Sequence, residues 1–194
     1  IAVLQYTGGT TGVSKGAVLL HRHLVANMLQ CEAWNGPAMS RLEQMSPGEQ
    51  PVVVCALPLH HIFAFTCNLL LGMRMGACNI LIPNARDIGA LLKELSRQRF
   101  HSFPAVNTLF NAIVHHPDVD EVDWSGLLLS VGGGMAVQQT TARLWLEKTG
   151  CTICEGYGLS ETSPSVTCNP TDTKAYSGTI GLPLPGTDVR LLDE

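Results

Sequence analysis

Tyr6-Thr7-Gly8-Gly9-Thr10-Thr11-Gly12-Val13-Ser14-Lys15-Gly16 is the stretch on which the reading of this chain turns. Glycines at 8, 9 and 12 free the backbone to bend, threonines at 7, 10 and 11 offer hydroxyls, and Lys15 supplies a positive charge. Apolar, strand-like runs flank it at residues 1–4 and 17–20. A glycine-rich turn between strands lets successive N–H groups point into one concave space, which is how backbone holds phosphate. Residues 7–16 therefore predict a site for a nucleotide triphosphate. The bland alternative is a surface loop of small residues.

Two familiar phosphate loops do not fit. The Walker pattern puts its lysine directly after a glycine and before Ser or Thr, at the start of a helix. Here Val13 and Ser14 separate Gly12 from Lys15, and Gly16-Ala17-Val18-Leu19-Leu20 reads as a strand. The dinucleotide fingerprint G-x-G-x-x-G is not matched either.

A second segment, Glu155-Gly156-Tyr157-Gly158-Leu159-Ser160-Glu161-Thr162, sets a carboxylate and two hydroxyls just after a glycine-flanked tyrosine. A carboxylate beside phosphate is unfavourable unless a cation lies between them, and Mg²⁺ commonly binds one or two carboxylates together with substrate phosphates. Glu161 is the candidate Mg²⁺ ligand, and Tyr157 offers a flat surface on which a base can stack. The alternative is a turn with a solvated Glu.

Together these segments resemble the signatures of the acyl-adenylate-forming (AMP-binding) enzymes, the superfamily of acyl-CoA synthetases, luciferases and nonribosomal adenylation domains. The family's loop Y-T-S-G-T-T-G-x-P-K-G appears with Gly9 for Ser and Ser14 for Pro, and its Y-G-x-T-E appears with Ser160 for Thr. Gly178-Thr179-Ile180-Gly181-Leu182-Pro183-Leu184-Pro185-Gly186 is similar to the family's G-x-x-G-x-P-x-P-G, and all three segments keep the family order. Within the superfamily, Leu57-Pro58-Leu59-His60-His61-Ile62-Phe63, Val106-Asn107-Thr108-Leu109-Phe110-Asn111 and Gly132-Gly133-Gly134-Met135 resemble bacterial long-chain fatty acyl-CoA synthetases.

The resemblance implies attack of a fatty carboxylate on the α-phosphorus of ATP, release of pyrophosphate, and transfer of the acyl group to coenzyme A. It places Thr7, Gly8, Gly9, Thr10, Thr11, Gly12 and Lys15 on the β- and γ-phosphates and Thr162 on an α-phosphate oxygen. Adenine is expected between Gly132, Gly133, Gly134 and the Glu155, Gly156, Tyr157, Gly158 segment, and His61 beside the acyl carboxylate. Asn107, Thr108 and Phe110 are expected along an acyl tunnel or, equally, in helix packing. Amino-acid-activating relatives usually carry an Asp to pair with the α-amine. His60-His61-Ile62-Phe63-Ala64-Phe65 has no acidic residue, and a buried ammonium without a partner is costly, so a substrate without an amine is expected. A ligase for aryl or medium-chain acids, and a nucleotide-binding module or NTPase without acyl transfer, remain open.

Composition sets wider bounds. With 194 residues, 45% hydrophobic and 14% charged, the chain is long enough for a substantial core. Its net charge of −4, with no clustered Lys and Arg, disfavours nucleic acid as a partner. The longest apolar stretch, residues 62–73, is too short to span a bilayer. Seven cysteines are scattered through apolar patterns, and Cys151-Thr152-Ile153-Cys154 sits in a strand-like run, so buried thiols in a reducing cytoplasm are expected over zinc or a redox pair. Peripheral contact of the parent with the inner membrane and a homodimer are both compatible with the resemblance. Ile1 opens inside a strand pattern and Asp193-Glu194 follows a strand-like run. The chain is therefore expected to be a partial AMP-binding domain spanning 1–194. A flanking N-terminal part and a C-terminal domain with a catalytic lysine would lie outside it, and these residues alone are expected to be inactive.

The element pattern is α/β: a mostly parallel sheet flanked by helices, as in the large N-terminal domain of an adenylate-forming enzyme. Strands are expected at 1–6, 17–20, 52–57, 77–82, 127–131, 152–155 and 187–192. Helices are expected at 21–34, 62–75, 87–99 with Asp87 as cap, 104–115 opened by Pro104, and 137–149, with loops at 35–51 and 116–126. In such sheets ligands gather at the carboxyl ends of strands, and the phosphate loop, the triple glycine and the Glu161 segment all follow strands.

Overall fold

Short β-branched and apolar runs alternating with helices build one seven-stranded sheet and a separate hairpin. The computed structural model describes residues 1–7 and 15–192, Thr7 by its backbone alone. The hairpin pairs β1 (Val3–Thr7) with β2 (Lys15–Leu19) antiparallel, from Val3 opposite Leu19 to Thr7 opposite Lys15. The seven residues 8–14 that connect them lie outside the described residues. Lys15 and Gly16 belong to β2, so the connection is shorter than the 7–16 expected from sequence.

The main sheet runs β4 (Cys78–Leu81), β3 (Val52–Cys55), β5 (Ser102–Ala105), β6 (Leu129–Gly132), β7 (Ile153–Gly158), β8 (Ser165–Cys168) and β9 (Leu182–Pro183). The five from β4 to β7 are parallel, and β8 and β9 return antiparallel. Side chains alternate across the strands. Phe103, Ala105 and Ile153 enter a core with α4 (Ile88–Leu95), α5 (Asn107–Val114) and α6 (Gln139–Thr149), whereas Leu129 and Cys154 enter another with α1 (His21–Met45). The first core centres on Trp145, fully buried with its ring 4.7 Å from Phe110 and 5.3 Å from Trp124, and its Nε1 donates to Ser130 Oγ at 3.0 Å. Cys151 and Cys154 are free thiols in these two different cores.

Four expectations need correction. Residues 35–45 are helical: α1 continues through Asn35-Gly36-Pro37 to Met45. An interior proline costs about 3 kcal/mol. Tertiary anchors offset it: Ala38 and Leu42 are buried, Trp34 Nε1 donates to Asn169 O (3.0 Å), and Arg41 donates to Leu128 O (2.9 Å) and Thr171 O (3.0 Å). Pro104 does not open a helix; it lies inside β5, wholly buried, and α5 starts at Asn107. Pro104 brings no N–H to the ladder, and β5 meets β3 only through Val53 and Ser102. No strand forms at 187–192, where Leu191 and Leu192 are exposed; the edge of β8 is taken by β9 instead. The antiparallel pair β8 and β9 was not foreseen. The expected helix at 62–75 forms as α2 (Ile62–Ala64), a π-helical turn (Phe65–Leu70) and α3 (Leu71–Arg74). Asp87 caps α4 as expected, accepting from Ala90 N–H at 3.0 Å.

Glu155 is buried in β7. Its Oε1 accepts from Val137 N–H at 3.0 Å, and its Oε2 has no hydrogen-bond partner among the described residues. Burial raises its pKa, with the Val137 bond opposing. An unfolded Glu titrates near 4.5, so between that value and the higher folded one the native state holds its proton more tightly. This group's contribution to stability therefore declines as pH rises through that window. Glu155→Gln, which keeps an acceptor for Val137, should flatten that decline in urea midpoints measured from pH 4 to 7. In the same assay Trp145→Ala should lower stability by about 3–5 kcal/mol.

Candidate active site

The parallel strands end on one rim. Gly132 closes β6 beside Ala105 on one side and Glu155 on the other, so the triple glycine meets the start of the Tyr157 segment by register alone. A Cβ at Gly133 would lie 3.0 Å from the Phe63 ring, and one at Gly132 would lie 2.5 Å from Val137 Cγ2. These glycines let the chain pass closely between α2 and the core.

Beyond Gly158 the chain makes a turn, Ser160–Thr162, then Ser163 and β8. A Cβ at Gly158 would sit 2.0 Å from Pro164 O, so this glycine permits the turn to fold back on itself. Glu161 and Thr162 are exposed on it. The Thr162 hydroxyl accepts from Leu159 N–H (2.9 Å) and lies within donating reach of the carbonyls of Leu159 (3.0 Å) and Pro164. Residues of β1 and of β2 come within 8 Å, Cα to Cα, of this turn, and Gln5 Nε2 donates to His60 O at 3.1 Å. The hairpin that carries the phosphate-loop sequence thus lies against both the Glu161 turn and the His60-His61 segment.

His61 caps α2. Its Nδ1 accepts from Phe63 N–H at 3.2 Å, which leaves Nε2 to carry the ring hydrogen in the neutral form.

A cavity of about 400 Å³ opens at this rim. Its mouth is lined by His61, Gly132, Gly133, Gly134, Tyr157 and Glu161, and Gly156, Gly158, Leu159 and Ser160 also border it. Tyr157 is half exposed there. Inside, the walls are apolar: Trp34 and Met39 from α1, Leu71 and Met75 from the segment after the π-turn, and Leu129 and Val131 from β6. The cavity reaches Val52, Ala77 and His101, at the opposite end of the sheet. Cys168 also lines it, and burial pushes its thiol up to about 12, so it presents a neutral S–H to the chamber at neutral pH. His101 is fully buried at the far end; desolvation lowers its pKa, while Glu49, 3.3 Å from Nε2, opposes that shift.

The structure therefore brings together His61, Gly132, Gly133, Gly134, Gly156, Tyr157, Gly158 and Glu161, with β2, which Lys15 opens, beside them. Glu155 stands apart, buried under Val137. Thr162 neighbours Glu161 but spends its hydroxyl inside the turn. Gly8, Gly9, Thr10, Thr11 and Gly12 lie outside the described residues, as does the Thr7 side chain. Asn107 and Phe110 do not border the cavity: the Asn107 Oδ1 accepts from Gln138 N–H at 2.9 Å and Phe110 is in the Trp145 core, which decides for helix packing. The residues that do line the chamber come from α1 and from 62–75. Their sequence signal, Leu24, Met28 and Cys31 at helical spacing, is indistinguishable from ordinary core packing.

Known proteins share these features. Long-chain-fatty-acid–CoA ligases of Escherichia coli O6:H1 and Yersinia pestis are 50% and 52% identical over the whole of this chain, which spans 33% of their length. Among solved structures, an anthranilate CoA ligase, AuaEII, in complex with anthranoyl-AMP matches 98% of the chain at a TM-score of 0.81 and 25% identity, the match covering 35% of that protein. ATP-bound MatB from Rhodopseudomonas palustris matches 94% at 0.75 and 27% identity, covering 34% of that protein. The model of the AMP-binding enzyme family matches residues 1–194, and the chain belongs to that family.

Proposed function

We propose that the protein containing this chain activates a long-chain fatty carboxylate with ATP, releasing pyrophosphate, and passes the acyl group from acyl-AMP to coenzyme A. One observation carries the reading: a single cavity joins a mouth built from the family's motif segments to an apolar chamber that crosses the sheet. A polar headgroup at the mouth and an alkyl chain along Leu71, Met75, Leu129 and Val131 match that division. Identity of about 50% to fatty-acid ligases over the whole chain supports the same substrate class.

The residues divide the work by charge and shape. Both reactants are anions, so alignment and charge neutralisation dominate the task. The loop of residues 7–12 and Lys15 bind the β- and γ-phosphates. Gly133 and Gly134, free of side chains, and Tyr157 enclose the adenine. His61, its Nδ1 occupied by Phe63, donates from Nε2 to the acyl carboxylate and orients it. Thr162 meets an α-phosphate oxygen by exchanging one of its partners within the turn. Glu161 is an exposed, hard oxygen donor at the mouth, which suits Mg²⁺ with its retained waters; the ion would supply charge neutralisation to the phosphates.

The remaining two thirds of the protein would provide an N-terminal part and a C-terminal lysine domain needed for both half-reactions. No helix among the described residues is long and apolar enough to cross a membrane, and we place the reaction in the cytoplasm or at the inner membrane surface.

With the intact protein, ATP–pyrophosphate exchange should depend strictly on added carboxylic acid and strengthen from short alkyl and aryl acids to long alkyl acids. Steady ATP hydrolysis without any acid overturns the assignment. Glu161→Ala should lower exchange by about 10²–10³-fold, and the 194 residues alone should show none.

A further inference from the structure

The π-helical turn after His61 makes a contact that none of the motif segments accounts for. Thr66 is fully buried, and its hydroxyl donates to Ser163 O at 3.1 Å, across 97 positions of sequence. A threonine inside a helix ordinarily turns its hydroxyl back on its own helix. Here the Thr66 carbonyl accepts from Leu71 N–H in the wider π register, while its hydroxyl reaches the other segment. Ser163 is an unusual recipient. With φ of 72° it is the one residue other than glycine in the left-handed region among the described residues, and it is almost wholly buried. A left-handed L-residue is strained and persists only where its surroundings over-determine it. Ser163 immediately follows the Glu161-Thr162 turn, so whatever fixes its carbonyl fixes the direction in which that turn faces.

We infer that Thr66 is a positioning residue, which locks the Glu161 turn to the helix begun by His61 and so holds the carboxylate side and the metal side of the reaction in one register. It touches no substrate and acts through Ser163. The consequence for chemistry rests on the function proposed above; the mechanical link does not.

The test uses the intact protein with Thr66→Val, which keeps shape and removes the donor, and Thr66→Ser, which keeps the donor. Thr66→Ala gives the same contrast as Val if the extra methyl is not accommodated. Hydrogen exchange followed by mass spectrometry should show peptides over 159–165 opening about tenfold more readily in Val, the factor one buried hydrogen bond supports, with β5 and β6 unchanged. The Mg²⁺ concentration for half-maximal pyrophosphate exchange should rise by a similar factor, the KM for fatty acid should stay within about twofold, and Ser should restore both. Unchanged exchange at 159–165 in Val overturns the mechanical link. Opening of that segment with an unaltered Mg²⁺ requirement overturns the positioning role, as does a Ser variant as impaired as Val. A wild-type protein without acid-dependent pyrophosphate exchange removes the catalytic consequence and the proposed function together, while the hydrogen-exchange comparison still decides the link.

Discussion

The rim depends on one register: Gly132 opposite Ala105 in β5 and opposite Glu155 in β7. Parallel pairing aligns strand ends, and these three strands release their chains at one level. A slip of one residue would turn Gly132 away from Val137 and Ile153 and put a larger side chain where there is room only for hydrogen. The buried aromatic cluster holds that register. Phe103 of β5 lies 5.8 Å from Trp145, whose indole bonds Ser130 of β6, so the core fastens the two strands from beneath.

From that platform the molecule separates two environments. Above the strands, backbone-rich segments and an exposed carboxylate face water, as a polyanionic ligand demands. Along the face covered by α1, the chamber is walled by Trp, Met, Leu and neutral thiols, and a charged group there would bear the full cost of desolvation. Few elements serve both sides. The helix begun by His61 does: its first residue is at the mouth, and Leu71, three turns on, is in the chamber wall.

Much of the rim was legible in the sequence because its segments are local. Glycine spacing, a tyrosine and a carboxylate within eight residues describe a turn whatever lies around it, and β1, β2, the Asp87 cap and α6 follow from patterns of similar range. What stayed hidden depends on distant partners. Asn35-Gly36-Pro37 reads as a break until Arg41 and Trp34 find carbonyls at 128, 169 and 171. Pro104 reads as a helix start until two strands enclose it. The chamber lining could not be told from core, since a residue facing a cavity and one facing a neighbour have the same composition. Thr66 carries no signal at all, because its partner is 97 positions away.

The π-turn at Phe65–Leu70 also sets a constraint on chain length. Such a turn accommodates one residue more than an α-helix would in the same span. Deleting a single residue there would let regular helix close up, and it would swing every later side chain of that helix by about 100°. Leu71 and Met75 would rotate out of the wall they form, and Asn68 would lose its bonds to Val54 O and Asn79. The irregularity is thus a spacer whose count matters more than its composition, and shortening it should be far less tolerable than exchanging its residues.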